Sequence, residues 1–246
     1  SLSFIDLILG AAVACLATSL GSLAILPFKH TNKRINAIML AFAAGVMAFS
    51  AVEMFGQSHK AIGDLPAAAG FLVGVLFLFA VEKTLPHIHF MLSKKELAHP
   101  KKKAALIAGS IALHNVPEGF AIAAAFANST PLGWLVTAAI SLQDVPEGLM
   151  VSAPLASYGL DKKTAIGFGI FSGIIEFAAA VVGFVLISLA LAVAPAALAF
   201  SAGAMTYVVF VELLPDAFVR PQERVAAISF IIGVAIAFGL AVLLGF

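Results

Sequence analysis

Two polar motifs interrupt an otherwise apolar chain, and both carry side chains that bind metal ions. The first reads His-Asn-Val-Pro-Glu-Gly at residues 114–119, and the second reads Gln-Asp-Val-Pro-Glu-Gly at residues 143–148. In each motif the first residue and the glutamate are four positions apart, which places them on one face of a helix. The side chains that could bind a metal are His114, Asn115, Glu118, Gln143, Asp144 and Glu147.

Each motif places a proline directly before its glutamate. A proline within a helix lacks the N–H that would bond to the carbonyl four residues back, so Pro117 frees the carbonyl of Leu113 and Pro146 frees that of Leu142. We expect two kinked helices that face each other and present imidazole, carboxylate and amide groups to one shared point. The alternative is a pair of kinked helices whose polar groups bond only to each other. It is less favoured, because several acids would then lie in lipid without a basic partner.

Further acids lie in apolar segments that contain no lysine or arginine, among them Glu53, Glu176 and Glu212. An ionised side chain at the centre of a bilayer costs at least ~2.5–3.5 kcal/mol on insertion scales. Gathered carboxylates would repel one another and take up protons unless a cation balanced them. These acids therefore indicate a protein that passes a cation. Glu176 is predicted to be a ligand and Glu212 an exit-path residue, while Glu53 is either an acid at the outer entrance or a hydrogen-bonded structural residue.

The types of ligand narrow the choice of cation. One imidazole with several carboxylate and amide oxygens suits Zn²⁺, Fe²⁺, Mn²⁺, Co²⁺ or Cd²⁺ better than Cu⁺, which prefers sulfur ligands. Ca²⁺ and Mg²⁺ prefer shells made entirely of oxygen. We expect such a transition metal to be a transported substrate, and we predict no cofactor.

The composition predicts a polytopic membrane protein. Of the 246 residues, 62% are hydrophobic and 11% are charged, with a mean hydropathy of +1.08. A soluble domain is about half apolar and about a quarter charged. We expect an all-α fold with a single transmembrane domain over residues 1–246 and no affinity for nucleic acid, because the basic residues lie in short loops. The single cysteine, Cys15, excludes an intramolecular disulfide.

Eight apolar segments are long enough to cross a bilayer, each near the ~20 residues that a spanning helix needs. Of the 14 lysines and arginines, all except Lys60 lie at or near the loops that follow odd-numbered segments. The positive-inside rule places these loops in the cytoplasm and both termini outside. The loop after the third segment contains His87 and His89, which either bind a transition metal weakly or belong to a solvated basic loop. The predicted spans are 4–27, 36–57, 65–82, 104–128, 131–158, 164–193, 196–218 and 225–246.

The two motifs and the eight spans resemble those of the ZIP family (Zrt- and Irt-like proteins) of divalent-metal transporters, in its bacterial branch. The resemblance extends to the segment Phe-Ala-Ala-Gly-Val-Met at residues 42–47 and to the Glu82-Lys83 end of the third span. It implies a 3+2+3 arrangement of helices with an inverted repeat, and alternating access by movement of one bundle against the other.

The resemblance also implies a binuclear site between the fourth and fifth helices. One metal would be held by His114, Glu118, Gln143 and Glu147, and the other by Asn115, Asp144, Glu147 and Glu176, with Glu118 shared. Many family members have Glu or His where this chain has Gln143. A neutral amide attracts a divalent ion less strongly, so this difference bears on occupancy and selectivity.

The sequence therefore predicts a transporter that moves a divalent metal, zinc first, into the cytoplasm and is not an enzyme. Metal would pass Glu53, bind at the central motifs, and leave past Glu212 toward His87 and His89. The alternatives are a cation channel built on the same site and an intramembrane metalloenzyme, against which the chain lacks a His-Glu-x-x-His motif. The expected location is the bacterial inner membrane. The expected partners are divalent metal ions, the lipid bilayer and a second copy of the chain in a homodimer.

Overall fold

The computed structural model describes residues 4–27, 32–84, 100–157 and 160–246, and these residues form helices and no strand. The seventh helix changes type along its length: α7 runs over Ala194–Val208, passes through a π-helical turn at Val209–Leu213 and ends in an α-helical turn at Leu214–Ala217. A short 3₁₀ turn, Leu191–Val193, precedes it. The other helices are α1 Phe4–Leu23, α2 Lys33–Ile62, α3 Asp64–Thr84, α4 Pro100–Asn128, α5 Thr130–Ser157, α6 Lys162–Ser188 and α8 Glu223–Leu243.

Local signals in the sequence set several helix ends. The side chain of Asn32 accepts a hydrogen bond from the Ile35 N–H at 2.9 Å and caps the start of α2. Gly63 has a φ of +83°, which favours glycine and ends α2. Asp161 caps α6 by accepting hydrogen bonds from the backbone and side chain of Thr164, and these bonds lower the pKa of the exposed carboxyl group.

The predicted all-α polytopic membrane fold is confirmed. Among the described residues, α1, α2, α3, α6, α7 and α8 are long and apolar enough to cross a bilayer. The two remaining helices, α4 and α5, carry the polar motifs and run continuously through Pro117 and Pro146. They pack against each other and against helices on both sides. The polar motifs therefore lie at the centre of the bundle, shielded by apolar helices.

The eight helices of the described residues pack as two groups. Helices α1, α4, α5 and α6 contact one another and form the first group, while α2, α3, α7 and α8 form the second. Contacts of α5 with α2 and of α4 with α7 join the two groups. The inverted repeat relates α1 to α6, α2 to α7, α3 to α8 and α4 to α5. When these helices are exchanged, each principal contact becomes itself or another contact that is also present. The contacts thus follow the predicted inverted repeat.

A repeated sequence pattern lies beneath this symmetry. The pattern Phe-x-Ala-Gly-x-Met occurs at residues 42–47 of α2 and at residues 200–205 of α7. In both places the glycine allows close helix packing. A Cβ added to Gly45 would lie 2.2 Å from the carbonyl oxygen of Phe230, and one added to Gly203 would lie 2.0 Å from that of Phe71. Small residues thus let the backbones of paired helices approach without a side chain between them.

We expect Gly45→Ala to destabilise the protein, because the new methyl group would overlap the backbone of α8 at Phe230. Overpacking of this kind costs about 1–3 kcal/mol. Gly56→Ala is the matched control on the same helix, since no described atom of another helix lies within 4 Å of the Cβ position. Thermal unfolding in detergent, monitored by size-exclusion chromatography, should show a lower midpoint for Gly45→Ala alone. Equal midpoints for both variants would contradict the close approach of α2 and α8.

Candidate metal centre

Three carboxylates from the two motifs converge between α4 and α5. One oxygen each from Glu118, Asp144 and Glu147 lie within 4.8 Å of one another. Glu118 is 1% exposed and Asp144 is fully buried, whereas Glu147 is partly buried. Acids this close repel one another when ionised, and a divalent cation bound between them would relieve that repulsion.

Gln143 partly compensates the charge of this cluster. Its Nε2 donates a hydrogen bond to Oε1 of Glu118 at 2.7 Å, and the whole side chain is buried. No hydrogen-bond partner among the described residues reaches the Oε1 of Gln143 or the Oε2 of Glu118. The amide therefore joins the two motifs while leaving one oxygen on each side chain for a ligand.

A second set of polar side chains lies on the α6 side of the cluster. The hydroxyl of Thr18 donates to Oε2 of Glu176 at 3.5 Å, and that of Ser172 donates to Oδ1 of Asn115 at 2.8 Å. Both oxygens of Asp144 and Oε1 of Glu176 are buried, and within the described part of the chain they have no hydrogen-bond partner. Buried polar atoms are nearly always paired, so these oxygens suit a cation as their partner.

The final glycine of each motif brings its helix against a neighbour. A Cβ on Gly119 would lie 2.2 Å from the carbonyl oxygen of Glu176, and a Cβ on Gly148 would lie 2.1 Å from that of Thr18. Gly119 thus packs α4 against α6 at Glu176, and Gly148 packs α5 against α1 at Thr18. This role of the glycines, and the presence of Thr18 near the centre, were not predicted from the sequence.

His114, which is predicted to face the metal with Glu118, contacts an acid on another helix. Its Nε2 forms an ion pair with Oε2 of Glu212 on α7, and the imidazole is not part of the group of three carboxylates. Glu212 lies in the π-helical turn of α7. The predicted exit-path residue is therefore a direct neighbour of a predicted ligand, across the boundary between the two helix groups.

A further hydrogen bond lies near this pair and was not predicted. The hydroxyl of Tyr207 on α7 donates to Oε2 of Glu82 at the end of α3. The bond ties α7 to α3 within the second helix group. The sequence placed Glu82 only at the end of a span and gave no signal for Tyr207.

The other predicted path residues have different outcomes. Glu53 on α2 is partly buried, and its Oε1 accepts a hydrogen bond from Gln57 Nε2 at 2.7 Å. This bond fits the structural alternative for Glu53, and the entrance role stays a prediction. The predicted His87 and His89 lie outside the described residues.

The sequence of this chain is similar to those of known zinc transporters. A family model described as ZIP zinc transporter matches residues 91–245. The zinc transporter ZupT of Chlorobium phaeovibrioides is 34% identical over 245 residues, covering 91% of this chain and 92% of its own length. The zinc transporter GufA of Myxococcus xanthus is 34% identical over 241 residues, covering 93% and 95%. The zinc transporter ZIP11 of Xenopus tropicalis is 29% identical over 325 residues, covering 97% of each chain.

We expect Asp144→Asn to stabilise the metal-free protein. The substitution removes one of several crowded buried acids and adds an amide that can donate to a neighbouring carboxylate, which is worth about 1–3 kcal/mol. The thermal midpoint measured in EDTA should rise. Asp216→Asn is the matched control, since Asp216 is exposed near the end of α7, and its midpoint should not change. A lower midpoint for Asp144→Asn would mean that the carboxylate already has a stabilising partner.

Proposed function

The chain belongs to the ZIP family, and we propose that it transports a divalent transition metal, zinc first, through the centre between α4 and α5. The observation that carries this proposal is the group of Glu118, Asp144 and Glu147, whose oxygens converge within 4.8 Å. The zinc transporters that resemble the chain along most of their length support the same choice of substrate.

The proposed centre holds two ions. One would bind Glu118, Gln143 and Glu147, with His114 as the nitrogen ligand once its imidazole leaves Glu212. The other would bind Asn115, Asp144 and Glu176, with Glu118 and Glu147 bridging the two ions. The oxygens of Asp144 and Glu176 that lack a described hydrogen-bond partner support the second position, because a bound cation would give them one.

The division of the helices supports a carrier. The carboxylates of the proposed centre, on α4, α5 and α6, all belong to the first helix group. Movement of this group against α2, α3, α7 and α8 would carry the bound ions as a unit and expose them alternately to the two sides of the membrane. A channel on the same site would need no such movement.

The proposed direction is into the cytoplasm of a bacterial cell, across the inner membrane. This direction rests on the basic loops, because the positive-inside rule predicts that they lie in the cytoplasm and that both termini lie outside. Metal would approach along the side of Glu53, bind at the centre and leave past Glu212 toward His87 and His89. The metal is the substrate of this reaction and not a resident cofactor.

We expect purified protein in liposomes loaded with a zinc-sensitive dye to take up zinc in a saturable manner. Glu118→Ala and Glu147→Ala should each reduce the initial rate by about 100-fold or more, because each removes a charged ligand and the apparent binding free energy that it supplies. Glu223→Ala is a control, since this residue pairs with Arg220 at the start of α8. Uptake that stays unchanged in both ligand variants would refute the proposed site, and uptake that never saturates would favour a channel.

The two-ion centre predicts a stoichiometry. Wild-type protein titrated with zinc and measured by native mass spectrometry should bind two ions. Glu176→Gln should bind one, since Glu176 contributes only to the proposed second position. Equal stoichiometry in the two proteins would contradict the binuclear arrangement while leaving transport through a single site intact.

A further inference from the structure

Glu212 contacts the same imidazole nitrogen that a metal would need, and we infer that Glu212 and the metal compete for His114. The ion pair joins Nε2 of His114 to Oε2 of Glu212. A ring nitrogen that carries a hydrogen and donates a hydrogen bond to a carboxylate has no lone pair free for a metal. The inference rests on the proposed function and adds a role for Glu212 as the residue that holds His114 away from the metal.

The π-helical turn gives an independent reason to assign a role to Glu212. The pattern Phe-x-Ala-Gly-x-Met begins at Phe42 in α2 and at Phe200 in α7. The distance along the sequence from Phe200 to Glu212 is one residue longer than that from Phe42 to Glu53. In α7 the turn Val209–Leu213 accommodates the additional residue. Such turns often mark functional sites within α-helices. In α2 the corresponding segment is α-helical throughout.

The repeat also shows that the pair forms on one side only. Symmetry relates His114 to Gln143 and Glu212 to Glu53, so a matching pair would join Gln143 to Glu53. Instead Gln143 donates to Glu118 at 2.7 Å, and Glu53 accepts from Gln57. The first side chain of one motif thus bonds within the carboxylate cluster, whereas the first side chain of the other bonds to α7.

The contact crosses the boundary between the two helix groups. His114 belongs to α4 in the first group and Glu212 to α7 in the second. Metal that binds His114 would have to break this link, and release of the metal would allow Glu212 to recapture the imidazole. Under such competition, the apparent dissociation constant equals the intrinsic constant divided by the fraction of molecules in which the imidazole is available.

The test is zinc binding by the purified full-length protein in detergent, measured by isothermal titration calorimetry. Glu212→Ala removes the competitor. We expect the zinc dissociation constant of the position that includes His114 to fall about tenfold, which is the size of shift that a hydrogen bond to a charged group supports. Glu212→Gln keeps the shape and a weaker acceptor, so its shift should be smaller and in the same direction. Asp216→Ala removes another acid from the same helix end and should leave the constant unchanged.

Weaker binding by Glu212→Ala would overturn the inference, because it would mean that Glu212 is a ligand or that its bond to Nε2 aims Nδ1 at the metal. An unchanged constant would overturn it as well. The proposed function has its own readout in the same titration, since Glu118→Ala should lose zinc binding. If Glu118→Ala binds zinc as wild type does, the proposed site fails and this inference falls with it.

Uptake into liposomes supplies a second readout. If Glu212 displaces metal from His114, its loss should lower both the zinc concentration at half-maximal rate and the maximal rate, because release becomes slower. A structural defect would lower the maximal rate without tightening binding. A maximal rate that rises in Glu212→Ala would show that the pair slows transport rather than assists release, and would overturn the recapture step.

Discussion

The burial of several carboxylates in an apolar helix bundle is the constraint on which the rest of this structure depends. Glu118, Asp144 and Glu176 are each at most 1% exposed, and the described protein donors that reach these three are the amide of Gln143 and the hydroxyl of Thr18. Two donors cannot pair six carboxylate oxygens. The remaining oxygens need a proton, a water molecule or a cation. A proton relieves the repulsion by neutralising one acid, whereas a divalent cation relieves it while the acids stay ionised.

The surrounding fold is arranged to tolerate this centre. Small residues hold the helices together at backbone distance, as Gly119 does between α4 and α6 and Gly148 between α5 and α1. Close packing of this kind is where membrane helices gain stability, because lipid offers no hydrophobic driving force between them. The same two glycines also fix the distance between each motif and the helix that supplies Glu176 or Thr18. Stability and ligand placement therefore depend on the same contacts.

The sequence predicted the helices and the central acids because both follow from local patterns. Apolar segments near the length of a bilayer and loops rich in lysine are sufficient to predict the membrane fold, and the proline-glutamate spacing predicts that Glu118 and Glu147 meet. The contact of His114 with Glu212 could not be predicted in this way. It depends on how α4 packs against α7 and on a π-helical turn, and neither has a pattern within a single helix. The role of Thr18 was equally hidden, because its contacts with Glu176 and Gly148 join α1 to other helices and have no pattern within α1.

The inverted repeat gives these unpredicted contacts a common physical meaning. Each helix group contains equivalent helices from the two halves of the repeat. If the residues of the two halves were identical, the protein would present equivalent faces to the two sides of the membrane. This chain departs from equivalence where His114 stands in one motif and Gln143 in the other, and where Glu212 follows one residue later than Glu53 does. An imidazole can bond to a carboxylate or bind a metal, whereas a buried amide bonded to Glu118 stays within the cluster. The departures place His114 next to Glu212 on α7 and Gln143 beside Glu118, so the two halves of the polar centre differ in chemistry although they share a fold.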